Sequence, residues 1–254
     1  MNDTFLITVV FIIACTFVGA FIKGRSRDRC LKDIDGYPVT LRMKDSQLIW
    51  GRARVENGCM ELAYDKPHEN ERHAETSYIL YKGEYDNILM VIRYTDNLNA
   101  AESASRSGDL ERTKNPSRLS RMLRSVRNIF GTIRDSLMEL TGLLIGQMQS
   151  MTPAGKVLKG QDKYVAQMQQ EGISAMSTAY EPVLERYMGK RVVLAVSAPA
   201  GKEEYSGVLK EYTAKFVEIL DTEYRDPDGK YKRADIVVLR SGGIVRHAGE
   251  REGA

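Results

Sequence analysis

Residues 189–196, GKRVVLAV, and residues 204–223, EYSGVLKEYTAKFVEILDTE, form the stretch of sequence that decides the fold. Apolar residues recur at every second position in its first part, at Val192, Leu194 and Val196. Because the side chains of a strand point alternately to its two faces, this period of two predicts half-buried β-strands. A further apolar segment at residues 235–246 continues the pattern. Short strands at this spacing favour a small barrel or sandwich.

A second stretch of the same kind lies nearer the N-terminus, in residues 34–94. Its apolar residues also recur at every second position, first at Val39, Leu41 and Met43 and last in the segment 88–94. Tight turns such as Asn57-Gly58 separate the apolar runs, as expected for antiparallel strands. A polar insertion, residues 66–76, interrupts the predicted strands.

The two β segments match in position, which favours an internal duplication. The same spacing is found in the triplets Gly36, Val39, Leu41 and Gly189, Val192, Leu194. Gly51 precedes Met60 by nine residues, as Gly207 precedes Phe216. Coincidence is the alternative, because any two strand meanders share alternation and glycine turns.

The second segment, residues 187–247, resembles the two signature blocks of the Sm-like family of small β-barrels. The resemblance lies in the quoted stretch and in IVVLRSGGIV, residues 236–245; the first segment resembles it through residues 37–64 and 88–94. It implies a strongly bent five-stranded sheet in each segment, and edge strands that pair between subunits to form rings. RNA-binding members carry an acidic residue and an asparagine where this chain has YTAK, residues 212–215. This difference argues against RNA binding at that pocket.

Residues 5–22, FLITVVFIIACTFVGAFI, form an apolar run without a charged residue. At about 1.5 Å per residue, a helix of this length nearly crosses a hydrocarbon core of about 30 Å. We therefore predict a transmembrane anchor in residues 1–25; the alternative, a cleaved signal peptide, needs a positive start where this chain has Asp3. Basic residues follow the run at Lys23, Arg25, Arg27, Arg29 and Lys32. They predict a single-pass protein with its N-terminus outside and its body in the cytoplasm.

Residues 96–182 are predicted to form a linker and amphipathic helices. The apolar residues between Leu119 and Leu144 fall within an arc of about 120° when plotted at 100° per residue. The basic residues outside this arc are Arg118, Arg121, Arg124, Arg127 and Arg134. These arginines are the candidate membrane-surface site, placed near anionic head groups by a helix in the membrane interface. A core helix with a solvated arginine face is equally compatible with the pattern, and binding of a nucleic acid or a partner helix is a third interpretation.

The sequence contains no phosphate loop, nucleophile elbow, dinucleotide fingerprint or HExxH motif. The polar insertion carries potential metal ligands at His68, Glu69, Glu71, His73 and Glu75, which we interpret as a hydrophilic turn. The three cysteines lack CxxC spacing, which argues against a disulfide framework or a structural zinc site. We predict no enzymatic activity, catalytic residue, metal or cofactor, and the net charge of +3 is too small to imply a nucleic-acid partner.

The predicted fold class is α+β, with an N-terminal transmembrane helix and two small Sm-like β-barrel modules separated by an amphipathic helical region. The predicted domains are an anchor at 1–25, barrels at 30–95 and 183–248, linker and helices at 96–182, and a tail at 249–254.

The predicted function is that of a membrane-anchored, self-assembling scaffold. Its expected partners are the lipid bilayer, further copies of the chain and other membrane proteins, and a nucleic acid is not expected. One alternative is a subunit of a membrane channel or transport complex, in which residues 129–146 enter the bilayer despite the cost of Arg134, Asp135 and Glu139. Another is a membrane-tethered RNA-binding protein, whose binding would weaken steeply with salt.

Overall fold

The structure, a computed structural model, describes residues 27–69, 73–117, 181–199 and 201–249. Its ten strands are β1 (Pro38–Met43), β2 (Leu48–Val55), β3 (Cys59–Glu69), β4 (Ala74–Tyr81), β5 (Ile88–Tyr94), β6 (Arg191–Ala198), β7 (Gly201–Tyr212), β8 (Phe216–Arg225), β9 (Tyr231–Leu239) and β10 (Gly243–Ala248). The described α-helices are α1 (Arg29–Lys32), α2 (Ala100–Lys114) and α3 (Pro182–Tyr187). Two 3₁₀ helices, Lys82–Asn87 and Thr95–Asn97, flank β5.

All ten strands belong to one antiparallel sheet in the order β10-β6-β7-β8-β9-β5-β1-β2-β3-β4. We call β1–β5 the N-terminal half and β6–β10 the C-terminal half. In each half the fifth strand lies beside the first, and the first four strands follow one another. The pairing of β5 with β9 joins the halves and is called the seam. The two ends of the sheet are β4 and β10.

This architecture shows that the predicted fold class is wrong. The two β segments are not separate barrel modules, because the seam makes them one open sheet. The composition of β5 gives the physical reason: six of the seven residues in ILMVIRY are apolar or aromatic, and all seven are buried. A strand that is apolar at consecutive positions packs on both of its faces, so β5 contributes to the cores of both halves.

The prediction of a single-pass membrane protein with a cytoplasmic body is corrected as well. Within the described ranges, no helix is both long enough and apolar enough to cross a membrane. The apolar run at residues 5–22, on which the prediction rests, lies outside the described residues, as does the predicted amphipathic helix from residue 118 onward.

The core consists of two apolar clusters that each draw residues from both halves. The first cluster combines the inner residues of the N-terminal half with Phe216, Val237 and Leu239 of the C-terminal half. The second combines the inner residues of the C-terminal half with Met90, Ile92 and Tyr94 of β5. The predicted alternation is confirmed at the six buried positions Val39, Leu41, Met43, Val192, Leu194 and Val196. Separating the halves would therefore expose apolar surface from both clusters.

The strand registers support the duplication and correct one of its matches. A Cβ atom on Gly51 would lie 2.8 Å from the carbonyl oxygen of Ala63, and one on Gly207 would lie 2.7 Å from that of Leu220. Both glycines thus allow the second and third strands of their half to approach closely. Beyond this point β7 contains an irregularity between Leu209 and Glu211. At this irregularity β7 has one residue more than β2. Met60 therefore corresponds to Val217, whereas the spacing in the sequence predicts Phe216.

Substitution of either equivalent glycine by alanine should destabilise the protein. We expect Gly51→Ala and Gly207→Ala each to lower the free energy of unfolding by roughly 1–3 kcal/mol, because the new methyl group meets backbone that cannot move alone. Urea unfolding of the full-length chain measures this change. Gly58→Ala is the matched control, since a methyl group added there would meet no atom within 4 Å. Equal stability of Gly51→Ala and Gly58→Ala would contradict the prediction.

Candidate functional site

The seam is a row of mostly apolar residue pairs that contains one buried ion pair. Val91 of β5 lies opposite Val237 of β9, and two positions further along Arg93 lies opposite Asp235. The Arg93 Nη2 atom is 2.8 Å from the Asp235 Oδ2 atom, and the two side chains are 0% and 2% exposed. Arg93 also donates a hydrogen bond to the carbonyl oxygen of Asp33 at 3.1 Å. Both charges are thus removed from water and are satisfied by protein groups.

Asp235 binds a second arginine from helix α2. Arg106 donates from Nε and Nη2 to the two carboxylate oxygens, each at 2.7 Å, and the backbone N–H of Asp221 donates at 2.9 Å. Burial favours a higher pKa for Asp235, but the hydrogen bonds from Arg106 and the charges of Arg93 and Arg106 outweigh it. The pKa of Asp235 is therefore below its ordinary value, and the carboxylate is ionised at neutral pH.

Helix α2 is attached to both halves by charged contacts. None of its residues is buried, so it has no apolar face on the sheet. Glu102 pairs with Arg52 of β2 at 2.7 Å, and Asp109 lies 3.9 Å from Lys210 of β7. Together with Arg106, these residues connect α2 to the N-terminal half, the seam and the C-terminal half.

Lys210 also belongs to a second buried charge cluster. Its Nζ atom is 3.3 Å from Oε1 of Glu218 and 3.2 Å from Oδ2 of Asp33. Burial raises the pKa of Glu218 well above its usual value, and the charge of Lys210 offsets only part of this effect. A perturbed carboxyl group can indicate catalysis, but a catalytic group has to reach a substrate. The side chain of Glu218 is only 1% exposed, so this cluster fits a structural role.

A cleft of about 550 Å³ lies between hairpins of the two halves and is lined by Arg42, Glu203, Tyr205 and Tyr224 among others. Arg42 donates two hydrogen bonds of 2.9 Å to Glu203, and the Tyr205 hydroxyl donates to the same carboxylate at 2.6 Å. The rings of Tyr205 and Tyr224 are stacked at 5.7 Å. Since these lining groups bind one another, the walls of the cleft also connect the halves.

The free edges of the sheet carry exposed apolar side chains. Among the described strands, β4 and β10 each have a partner on one side only. Ile79 and Tyr81 of β4 are 48% and 62% exposed, and Ile244 of β10 is 48% exposed. An edge strand with unpaired backbone groups and apolar side chains is a template for pairing with another chain.

The seam contains buried equivalents of these three exposed residues. In the N-terminal half Met60 of β3 lies opposite Leu80, and in the C-terminal half its equivalent Val217 lies opposite Val238. Ile79 and Tyr81 therefore correspond to Val237 and Leu239 of β9. Ile244 lies opposite Ala195, and Met90 lies opposite Arg42, the equivalent of Ala195 in β1. Ile244 therefore corresponds to Met90. Whereas the edge residues are exposed, Val237, Leu239 and Met90 are 2%, 4% and 0% exposed.

The residues that the structure describes do not include the predicted site residues. The candidate membrane-surface residues Arg118, Arg121, Arg124, Arg127 and Arg134 lie outside the described residues. In the polar insertion, His68 lies opposite Glu75, and His73 Nε2 is 3.2 Å from Glu75 Oε1. The described part of this insertion lengthens the β3–β4 hairpin and does not interrupt the strands. In the described ranges, no group of three or more His, Cys, Asp or Glu residues is placed to hold a metal ion.

Sequence reasoning missed the buried charges of the seam and of the Lys210 cluster. Their signal is a charged residue within or beside an apolar strand, as with Arg93 in ILMVIRY, Asp235 before IVVL and Glu218 in FVEIL. Such a residue can equally face solvent, so the partner strand has to be known before its role is evident.

No protein-family model, curated protein or solved structure matches this chain.

Proposed function

We propose that the protein is a self-assembling structural protein, a scaffold whose copies join through the free edges of the sheet. The observation that carries this proposal is the exposure of Ile79, Tyr81 and Ile244 at positions whose seam equivalents are buried. The Sm-like resemblance supports it, because that resemblance implies edge strands that pair between subunits. Each half also contributes five strands, the number that the resemblance implies.

The chemistry of the charged residues also supports a structural role. Glu218 and Asp235 have strongly perturbed environments, yet their side chains are almost completely buried. Their partners are Lys210, Arg93 and Arg106, which belong to different strands and to α2. Such groups hold elements together and offer no surface to a substrate.

Light scattering of the full-length chain tests the proposed function. We expect a defined oligomer for the native sequence and at least about tenfold weaker association for Ile79→Lys, because pairing at β4 would bury the lysine charge. Val183→Lys is the control, since Val183 is an exposed apolar residue of α3 that lies on neither edge. A native chain that stays monomeric at every concentration measured would refute the proposal, and so would an Ile79→Lys variant that assembles as Val183→Lys does.

A further inference from the structure

Which edges of two copies join can be inferred from the geometry of the seam, and this inference rests on the proposed function. Free edges of two copies can pair as β4 with β4, as β10 with β10, or as β4 with β10. In the seam, the fourth strand of one half pairs with the fifth strand of the other half. Because β4 is a fourth strand and β10 a fifth strand, only the pairing of β4 with β10 repeats the geometry of the seam.

The seam also gives the register of this contact. Val91 and Val237 are opposite, as are Met90 and Val238. Val91 lies opposite Leu41, as Val245 lies opposite the equivalent Leu194. At the outer contact the two seam pairs therefore become Val245 opposite Ile79 and Ile244 opposite Leu80. In this register the exposed Ile79 and Ile244 take the places of residues that the seam buries. Neither homotypic pairing gives both of them such a place.

The edges differ from the seam in their charges. Arg93 and Asp235 lie opposite each other in the seam. Counted along the strands from Ile236 and Tyr78, the equivalent of Asp235 is Ser77, which lies opposite Ala63 of β3. The equivalent of Arg93 is Ala248, which lies opposite Val192 of β6, beyond an irregularity of β10 between Val245 and His247. At this position the outer contact is therefore neutral where the seam is ionic. If β5 paired with β4, or β9 with β10, one charge of the seam would be buried opposite a neutral residue, which is strongly unfavourable.

We propose that the Arg93–Asp235 pair is a specificity determinant that reserves β5 and β9 for each other, so that copies of the chain join head to tail with β4 of one on β10 of the next. At the outer contact, the neutral residues Ser77 and Ala248 favour each other over the charged residues of β5 and β9. A sheet assembled in this way has an ionic pair at this position within each chain and a neutral pair at the equivalent position between chains.

Disulfide trapping tests the direction and the register. Residues opposite each other in an antiparallel pair have Cα atoms about 4.5–5.5 Å apart, which a disulfide can span. Full-length chains carrying both Ile79→Cys and Val245→Cys should give a ladder of linked multimers on mild oxidation. A mixture of the two single variants should give a dimer and nothing larger, and each single variant alone should give only the background of the native cysteines. Linked dimers from one single variant alone, above the background of the native chain, would show homotypic pairing and overturn the inference.

Copying the ion pair to the outer contact tests the role assigned to Arg93 and Asp235. We expect Ser77→Asp and Ala248→Arg each to weaken association by about tenfold or more in light scattering, because each introduces an unpaired charge at the contact. The chain with both substitutions should associate within about threefold of the native chain, since the two charges then pair as in the seam. Single variants that assemble normally, or a double variant that does not recover, would overturn the assigned role of the ion pair. A monomeric native chain would instead refute the proposed function.

Discussion

Replacement of Asp235 by alanine should lower the free energy of unfolding by about 3–5 kcal/mol, because the substitution leaves a buried guanidinium without its counter-charge. Arg93 is fully buried and has Asp235 as its carboxylate partner at 2.8 Å. The backbone N–H of Asp221 loses its acceptor in the same step. Since Arg106 of α2 binds the same carboxylate, the variant should also weaken the attachment of that helix.

Urea unfolding of the full-length chain measures this loss against an exposed ion pair in the same sheet. Glu61→Ala removes a carboxylate that lies 3.7 Å from the largely exposed Arg54. Exposed pairs of this kind contribute between 0 and about 1 kcal/mol, so this control should remain close to the native protein. If Asp235→Ala and Glu61→Ala were equally stable, the seam would not depend on its ion pair.

Acid unfolding gives a second measurement of the same effect. The pKa of Asp235 is lowered in the folded protein, so its contribution to stability is fully present above the unfolded pKa of about 3.9. That contribution is lost as the pH falls from there through the folded pKa. The difference in stability between the native protein and Asp235→Ala should therefore shrink as the pH falls below about 4. A difference that stays constant over this range would argue against an ionised Asp235.

The local pattern of the sequence was sufficient to predict the strands but not their partners. The strand predicted over residues 88–94 is confirmed with the same bounds as β5. The inner positions of β1 and β6 are also correctly predicted as buried. The pairing of β5 with β9 was missed, because alternation determines which face of a strand is apolar and carries no information about its neighbour in the sheet.

The candidate site was less predictable than the fold for the same reason. Ile79 and Ile244 are ordinary apolar strand residues in the sequence, and their local pattern does not show that they lie exposed on the two free edges. Arg93 and Asp235 become an ion pair only through the register of the seam. The arginine pattern of residues 118–134 remains a prediction, since it lies outside the described residues.

Phe216 connects the two halves through packing, as Asp235 does through charge. It begins β8 of the C-terminal half, yet its fully buried ring belongs to the apolar cluster of the N-terminal half. There it lies edge to face with Tyr85, with the ring centroids 6.2 Å apart. The Cys30 thiol donates to the carbonyl oxygen of Phe216 at 3.8 Å. The first cluster therefore cannot form completely without the C-terminal half.

Phe216→Ala should lower the free energy of unfolding by about 3–5 kcal/mol, the range for removing a buried aromatic ring and leaving a cavity. Because the clusters share residues from both halves, the described sheet should still unfold in one transition, at a lower urea concentration, when followed by circular dichroism and by Trp50 fluorescence. Phe216→Leu keeps most of the volume and should cost less than about 1.5 kcal/mol. Two separate transitions, with the change at Phe216 confined to one of them, would show that the halves fold independently and that the shared core does not couple them.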